Sequence, residues 1–344
     1  MNETARATIL GTGSAVPERI VTNSELETLV DTSDEWIRSR TGVRERRIVM
    51  EGENTSDLAE KAARQALTMA GTEPEEVDMI VVATVTPDMP FPATACLVQR
   101  RLGAWGAAAL DVETACSGFL YALAVGSKFV ETGCCRRVLV IGAETLSRIT
   151  NWDDRSTCVL LGDGAGAVLL GPSSDSSGIL STYLGADGRG AELLYQPAGG
   201  SSLPASHQTV DDKLHYIRMN GREVFRFAVK IMGDAARRAL ERCEMTFSDV
   251  DYYIPHQANY RIIEASARRF GLPMDRVYVN IDRYGNTSAA SVPVALHEAA
   301  ALGKIAPGDV LLLVAFGGGL TWGAAVVRWN GAGHGPVRGE DENE

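Results

Sequence analysis

The chain contains no run of about 18 consecutive apolar residues, so no membrane-spanning helix is expected. Its first residues, Met1-Asn-Glu-Thr-Ala-Arg6, lack the charged-then-apolar pattern of a secretion signal. Its six cysteines include no C-x-x-C pair, which argues against a zinc knuckle or a thioredoxin-type dithiol. In a chain without a secretion signal, these cysteines fit a reducing compartment better than a disulfide framework, and a cytoplasmic location is expected. Positive charge is in deficit. Against 44 Asp and Glu there are 33 Lys and Arg, a net charge of −11, which argues against nucleic acid as the main partner. Two glycine clusters fall short of nucleotide fingerprints. Gly11-Thr-Gly-Ser-Ala-Val-Pro17 lacks the third glycine and has proline where a helix should begin. Gly162-Asp-Gly-Ala-Gly166 has neither the full spacing nor a Lys-Ser/Thr pair, so neither cluster supports NAD or ATP.

What is present is ordinary for a soluble globular protein: 45% hydrophobic and 22% charged residues in 344, enough for two domains. Short apolar strands alternate with helical patterns, as in Thr55–Ala70 before Val77–Thr84 and Glu223–Cys243 before Tyr252–Pro255. That alternation predicts parallel or mixed sheets covered by helices. The chain also repeats itself. Val77-Asp-Met-Ile-Val-Val82 returns as Val250-Asp-Tyr-Tyr-Ile254, and Val138-Leu-Val-Ile-Gly142 as Val310-Leu-Leu-Leu-Val314. Ala7–Gly11 is echoed by Gly178–Thr182, and the turn at Cys116 is matched with that at Asn286, 170 residues on. Four matches in one order at nearly one spacing predict two copies of one unit, residues 1–175 and 176–330. Stacked, they form a five-layered α-β-α-β-α body. Residues 331–344, rich in glycine and acid, read as a disordered tail.

Cys116 stands at the junction of a buried strand, Ala107–Val112, and an apolar helix, Ser117–Val130. Most cysteines in such proteins are small buried hydrophobes. At a helix start, however, free N–H groups and the helix dipole favour a thiolate, which makes Cys116 a candidate nucleophile. The other five lack this placement. The second half brings three segments to strand ends: Ile254-Pro-His-Gln-Ala-Asn259, Tyr284-Gly-Asn-Thr-Ser-Ala-Ala290 and Phe316-Gly-Gly-Gly319. Singly they read as a core histidine, a helix cap and a flexible hairpin. Together, at strand C-termini where α/β folds bind ligands, they converge on Cys116. Arg261, Arg268 and Arg269 share one helical face, suited to an acidic partner or simply to water.

Thr114-Ala-Cys-Ser-Gly118, Pro255-His-Gln-Ala-Asn259, Tyr284-Gly-Asn-Thr-Ser288 and Phe316-Gly-Gly-Gly-Leu-Thr-Trp-Gly323 resemble the signature segments of β-ketoacyl-acyl carrier protein synthase III. The resemblance runs from Leu10 to about Trp329. It implies the thiolase fold, a homodimer, and the condensation of a short acyl-CoA, taken as acetyl-CoA, with malonyl-acyl carrier protein to start fatty acid synthesis. It implies a Cys116–His256–Asn286 triad, an oxyanion hole from the N–H groups of Cys116 and Gly318, and an acyl pocket involving Phe316 and the partner's Phe91. Coenzyme A would be held by Trp36, Arg40, Arg155, Met219, Gly221, Phe225, Ala258 and Asn259, and the carrier protein by Arg226, Arg261, Arg268 and Arg269. No metal or organic cofactor is implied, since coenzyme A is a substrate carrier. A degradative thiolase would bring a second cysteine into the last glycine-rich segment, and an elongating synthase a second histidine where Asn286 stands. A synthase for a specialised pathway would keep the triad, whereas a scaffold without chemistry would be expected to lose it.

Overall fold

Five apolar runs pair into one sheet: β1 (Ala7–Ala15), β2 (Met79–Ala83), β3 (Ala108–Val112), β4 (Val138–Thr145) and β5 (Asp163–Pro172), in the order β1-β5-β4-β2-β3. Four more make the second: β6 (Gly178–Ala186), β7 (Tyr252–Pro255), β8 (Val310–Gly317) and β9 (Thr321–Arg328), in the order β7-β8-β9-β6. This computed structural model describes residues 6–332; from residue 333 on, the expected tail lies outside the described residues.

The two sheets repeat one pattern. β1 pairs antiparallel with β5, β5 antiparallel with β4, and β4 parallel with β2. In the same places, β6 pairs antiparallel with β9, β9 antiparallel with β8, and β8 parallel with β7. The counterpart of β3 is reduced to a single parallel bridge between Tyr253 and Val277.

The longer helices are α1 (Asp34–Thr41), α2 (Thr55–Ala70), α3 (Thr94–Leu102), α4 (Gly118–Glu131), α5 (Gly221–Glu241), α6 (Tyr260–Phe270) and α7 (Ser291–Ala301). α4 and α7 lie between the sheets, where Phe119, Leu123 and Leu296 pack with Val81 and Val140 of one sheet and Leu311 and Leu313 of the other. On β2, Ile80 and Val82 point the opposite way from Val81, into the outer core beneath α2 and α3. α5 and α6 cover the outside of the second sheet through Met232 and Ile263 against Tyr253, Leu312 and Val326. The result is the expected α-β-α-β-α sandwich. It explains why Met79–Ala83 and the first six residues of Val138–Thr145 are continuously apolar rather than alternating, since both of their faces are covered.

A small cap sits over one end. The hairpin Ile20–Thr22/Glu45–Arg47 and α1 share a core with Cys158, Val159 and Ile281. Arg46 is fully buried there and donates to the Val21 carbonyl, Asn23 Oδ1 and the Val159 carbonyl. Burial lowers its pKa to about 10, which leaves it charged at neutral pH. The guanidinium thereby ties the cap to the segment Val159–Leu161, which in turn holds the Asn286 turn.

Candidate active site

Ala115–Ser117 form a single 3-10 turn that runs into α4, so Cys116 does stand at a helix start. Ala115 has φ 48°, a conformation that costs a residue with a Cβ about 1–2 kcal/mol. Packing from the other half holds it. At Gly317, the end of β8, a Cβ would come 2.5 Å from the Cys116 nitrogen. The second half mirrors this turn at Ser288–Ala290, with φ 47° at Ser288 and α7 following. That turn packs on Gly142 of β4, where a Cβ would lie 2.3 Å from the Ala289 carbonyl oxygen. Each sheet thus receives the other half's turn. The matched residues are Ala115 and Ser288, 173 apart, and not Cys116 and Asn286. The spacing read from sequence matched the turn before Cys116 with that before Asn286, 170 apart, whereas the strained backbone positions lie 173 apart.

The turns meet at one place. His256 follows β7, its N–H donating to the Val314 carbonyl at 2.8 Å. Its ring lies edge-on to Phe316, 5.6 Å between centroids, and its Nδ1 is 2.6 Å from Ser291 Oγ. Asn286 is fixed by its backbone, donating to Leu160 O at 2.7 Å and accepting from Gly162 N at 3.0 Å. Its Oδ1 accepts the Ser288 N–H at 2.9 Å, which leaves the Nδ2 protons for the cavity. Around Cys116, the Ser117 hydroxyl reaches the Thr114 carbonyl and Thr321 Oγ1, and Thr321 Oγ1 reaches the Gly318 carbonyl, each at 2.9 Å. This network couples the nucleophile turn to the Gly318 loop.

A tunnel of about 600 Å³ has Trp36, Arg40, Arg155, Gly221, Phe225 and Asn259 among its lining residues and reaches Cys116, His256, Asn286 and Phe316. Met219 and Ala258 also line it. A second compartment, of about 450 Å³, touches Cys116, Asn286, Ser288 and Gly318 and extends past Leu146, Ile149 and Leu161. Trp36 and Arg155 lie against each other, with the guanidinium 4.8 Å from the ring centre. Phe91 is not brought to either space; it is 84% exposed on the outside of this chain. Of the four basic residues proposed for docking, Arg226 pairs with Glu223, Arg268 with Glu264 and Arg269 with Asp234, while Arg261 lies over the Phe225 ring.

Electrostatics correct one expectation. Burial pushes the Cys116 thiol up to about 12, with the nearby Ser288 hydroxyl opposing only part of the rise. Burial holds His256 down at about 3. The resting pair is therefore a neutral thiol beside a neutral imidazole, and not the thiolate expected from the helix start. No guanidinium or ammonium is among the causes that set the Cys116 shift, and removal from water outweighs the helix terminus.

Four contributors escaped the sequence reading: Glu144, Ser288, Ser291 and Arg222, which lines the tunnel beside Gly221. A carboxylate closing the otherwise apolar strand Val138–Thr145 was a legible sign for Glu144. Its side chain is fully buried; Oε2 takes hydrogen bonds from Thr86 Oγ1 at 2.6 Å and Val85 N at 3.1 Å, whereas Oε1 and the nearby Ser288 Oγ have none. Burial raises its pKa from 4.5 to about 7. The folded protein therefore holds a proton that the unfolded chain releases, and the stability this group contributes is lost as pH rises from about 4.5 through 7. Glu144→Gln keeps an acceptor and removes the charge. Urea unfolding should show the variant gaining on the native protein across that window, by on the order of 3 kcal/mol at pH 8. His256 drifts in the opposite sense but is common to both proteins, so it cancels. A pH-independent difference would contradict the assignment.

Two duplicated sheets with helices between them, and a cysteine at the boundary of the halves, define an acyl-transferring enzyme of the thiolase fold. The chain is 59% identical over 330 residues to the β-ketoacyl-[acyl-carrier-protein] synthase III of Caldanaerobacter subterraneus subsp. tengcongensis, covering 96% of this chain and 100% of that one. It is 55% identical to the enzyme of the same name from Clostridioides difficile, covering 94% and 98%. The chain belongs to the β-ketoacyl-[acyl-carrier-protein] synthase III family. Family models for the 3-oxoacyl-[acyl-carrier-protein] synthase III core and C-terminal regions match residues 110–188 and 240–329. The crystal structure of 3-oxoacyl-[acyl-carrier-protein] synthase III from Aquifex aeolicus superimposes with a TM-score of 0.87 at 50% identity, covering 94% of this chain and 100% of that one. A priming β-ketosynthase from the R1128 polyketide pathway does so with 0.88 at 37% identity, covering 96% and 98%. Among the described residues no helix is long and apolar enough to cross a membrane, and no group of three or more His, Cys, Asp or Glu is arranged to hold a metal ion.

Proposed function

We propose that this chain joins an acetyl group from acetyl-CoA to malonyl-acyl carrier protein, releasing carbon dioxide and starting fatty acid synthesis in the cytoplasm. One observation carries the reading: Cys116, His256 and Asn286, from opposite halves of the duplication, meet at the inner end of one tunnel. Cys116 is the nucleophile. In the first half-reaction its sulfur forms a thioester as the carbon–sulfur bond to coenzyme A breaks, and its proton goes to the departing sulfur. The backbone N–H groups of Cys116 and Gly318 hold the oxyanion formed on the way. Malonyl-acyl carrier protein then occupies the tunnel. As its carboxylate leaves as carbon dioxide, the enolate oxygen takes hydrogen bonds from His256 and from Asn286 Nδ2. The enolate carbon attacks the acyl group, and the Cys116 sulfur leaves and takes a proton from water.

Trp36, Arg40 and Arg155 suit the nucleotide end of coenzyme A: an aromatic face for adenine and cations for phosphates. Trp36 and Arg155 must part for adenine to lie between them. Arg226, Arg261, Arg268 and Arg269 suit an acidic carrier. Three already hold surface carboxylates, but exposed pairs are worth only about 0–1 kcal/mol and exchange partners at little cost. A homodimer is supported by β3, which lies at the sheet edge with exposed Met89 and Phe91 in the loop before α3.

Intact-protein mass after incubation with a panel of acyl-CoAs tests the proposal. The expected result is an acetyl adduct that malonyl-acyl carrier protein discharges to acetoacetyl-acyl carrier protein. A longer or branched adduct would move the role to another primer, and no adduct from any acyl-CoA would overturn the two-step reaction.

A further inference from the structure

The hydrogen bond between His256 and Ser291 carries more information than its length. Both residues are buried, and Ser291 Oγ lies 2.6 Å from Nδ1. A serine hydroxyl has one proton to give. Oγ accepts the Gln257 N–H at 3.4 Å, and its other partner is Nδ1. Among the described residues no carbonyl or carboxylate accepts from it, so its proton has one acceptor. An Nδ1 that accepts carries no proton of its own, and the proton of the neutral ring is then on Nε2. Nε2 bonds to no described residue, and the ring lines the tunnel beside Cys116 and Asn286.

We infer that Ser291 is a positioning residue whose hydroxyl holds His256 in the Nε2–H tautomer, which makes the ring a hydrogen-bond donor and denies it the Cys116 proton. This rests on the condensation proposed above. It assigns the two half-reactions differently. Acyl transfer moves a proton from the Cys116 sulfur to the sulfur of coenzyme A and needs no base on His256. Decarboxylation places an electron pair on the thioester oxygen and needs the Nε2–H. Asn286 is prepared in the same sense, since its Oδ1 is occupied by the Ser288 N–H and only its N–H groups are free.

The test is ¹⁵N spectroscopy of histidine-labelled protein, with His256→Ala to assign the signals. A protonated Nε2 and an unprotonated Nδ1 are expected in the native protein. Ser291→Ala should shift the ring toward Nδ1–H and slow malonyl decarboxylation by about 10- to 100-fold, the usual size when an orienting partner of a histidine is lost, with acyl transfer within a few-fold of native. Ser291→Thr, which keeps the hydroxyl, should restore both the tautomer and the rate. A proton on Nδ1 in the native protein would overturn the inference, and that spectrum decides even if Ser291→Ala fails to fold. Native decarboxylation by Ser291→Ala alongside loss in His256→Ala would overturn the inference alone. Native decarboxylation by His256→Ala would overturn the role proposed for the ring as well.

Discussion

Cys116→Ala should show no covalent adduct with any acyl-CoA, and overall turnover should fall to background. No other group in the tunnel can take its place. The hydroxyls of Thr114, Thr157, Ser288 and Thr321 line the inner compartment, but an alcohol is a far weaker nucleophile than a thiol, and His256, whose ring lines the tunnel, is neutral with its Nδ1 already bonded. Removing one sulfur from a half-buried position should leave the tunnel intact, so calorimetric titration should still detect coenzyme A binding. An adduct on the alanine variant would place the nucleophile elsewhere. A corollary concerns alkylation. A thiol pushed from 9 to about 12 carries about a thousandfold less thiolate at neutral pH, so iodoacetamide should react slowly with Cys116. Slow alkylation is then compatible with an enzyme and does not indicate an inert scaffold.

Sheet content, duplication and the order of the halves were legible because they rest on periodicity and spacing. Thr55–Ala70 and Tyr252–Pro255 form the helix and strand expected at those bounds, and the helix expected at Glu223–Cys243 spans Gly221–Glu241. Of the candidate site residues, His256 follows an apolar strand as expected, whereas Asn286 follows the short helix Ile281–Tyr284 and not the strand end expected for it, because the strand that would precede it is reduced to one bridge at Val277. The groups that set the protonation of the site were not legible. Ser291 is one serine among many in the chain, and nothing local says that its hydroxyl meets a ring 35 residues earlier. The thiolate expectation failed for a related reason. A helix terminus is visible in sequence, whereas the low-polarity shell around Cys116 is assembled from both halves and exists only in the fold. Phe91 was expected to close the acyl pocket of a partner copy; in this chain it lies outside, and its role depends on that second copy.

His256→Ala and Asn286→Ala should each slow malonyl decarboxylation by about 10²- to 10³-fold while leaving acyl transfer within tenfold of native, the size expected when one preorganised donor to a developing oxyanion is lost. The asymmetry follows from when charge appears. In the proposed reaction, acyl transfer has its own oxyanion donors in the backbone at Cys116 and Gly318, which neither substitution removes. The enolate oxygen has only the two side-chain donors, and it is charged only as carbon dioxide leaves, so their loss falls on that barrier. The double variant should lose less than the product of the two single losses, because the donors act on one atom. The pH profile separates donor from base. With His256 held near 3, its charge does not change between pH 6 and 8, and any inflection of the decarboxylation rate in that window should belong to Glu144, persisting in His256→Ala and disappearing in Glu144→Gln. The ring becomes charged only as pH falls toward 3. An inflection near 6.5 that disappears in His256→Ala would mean that the ring titrates as an exposed base. Equal loss of both half-reactions in both single variants would mean that these residues shape the tunnel rather than receive the enolate.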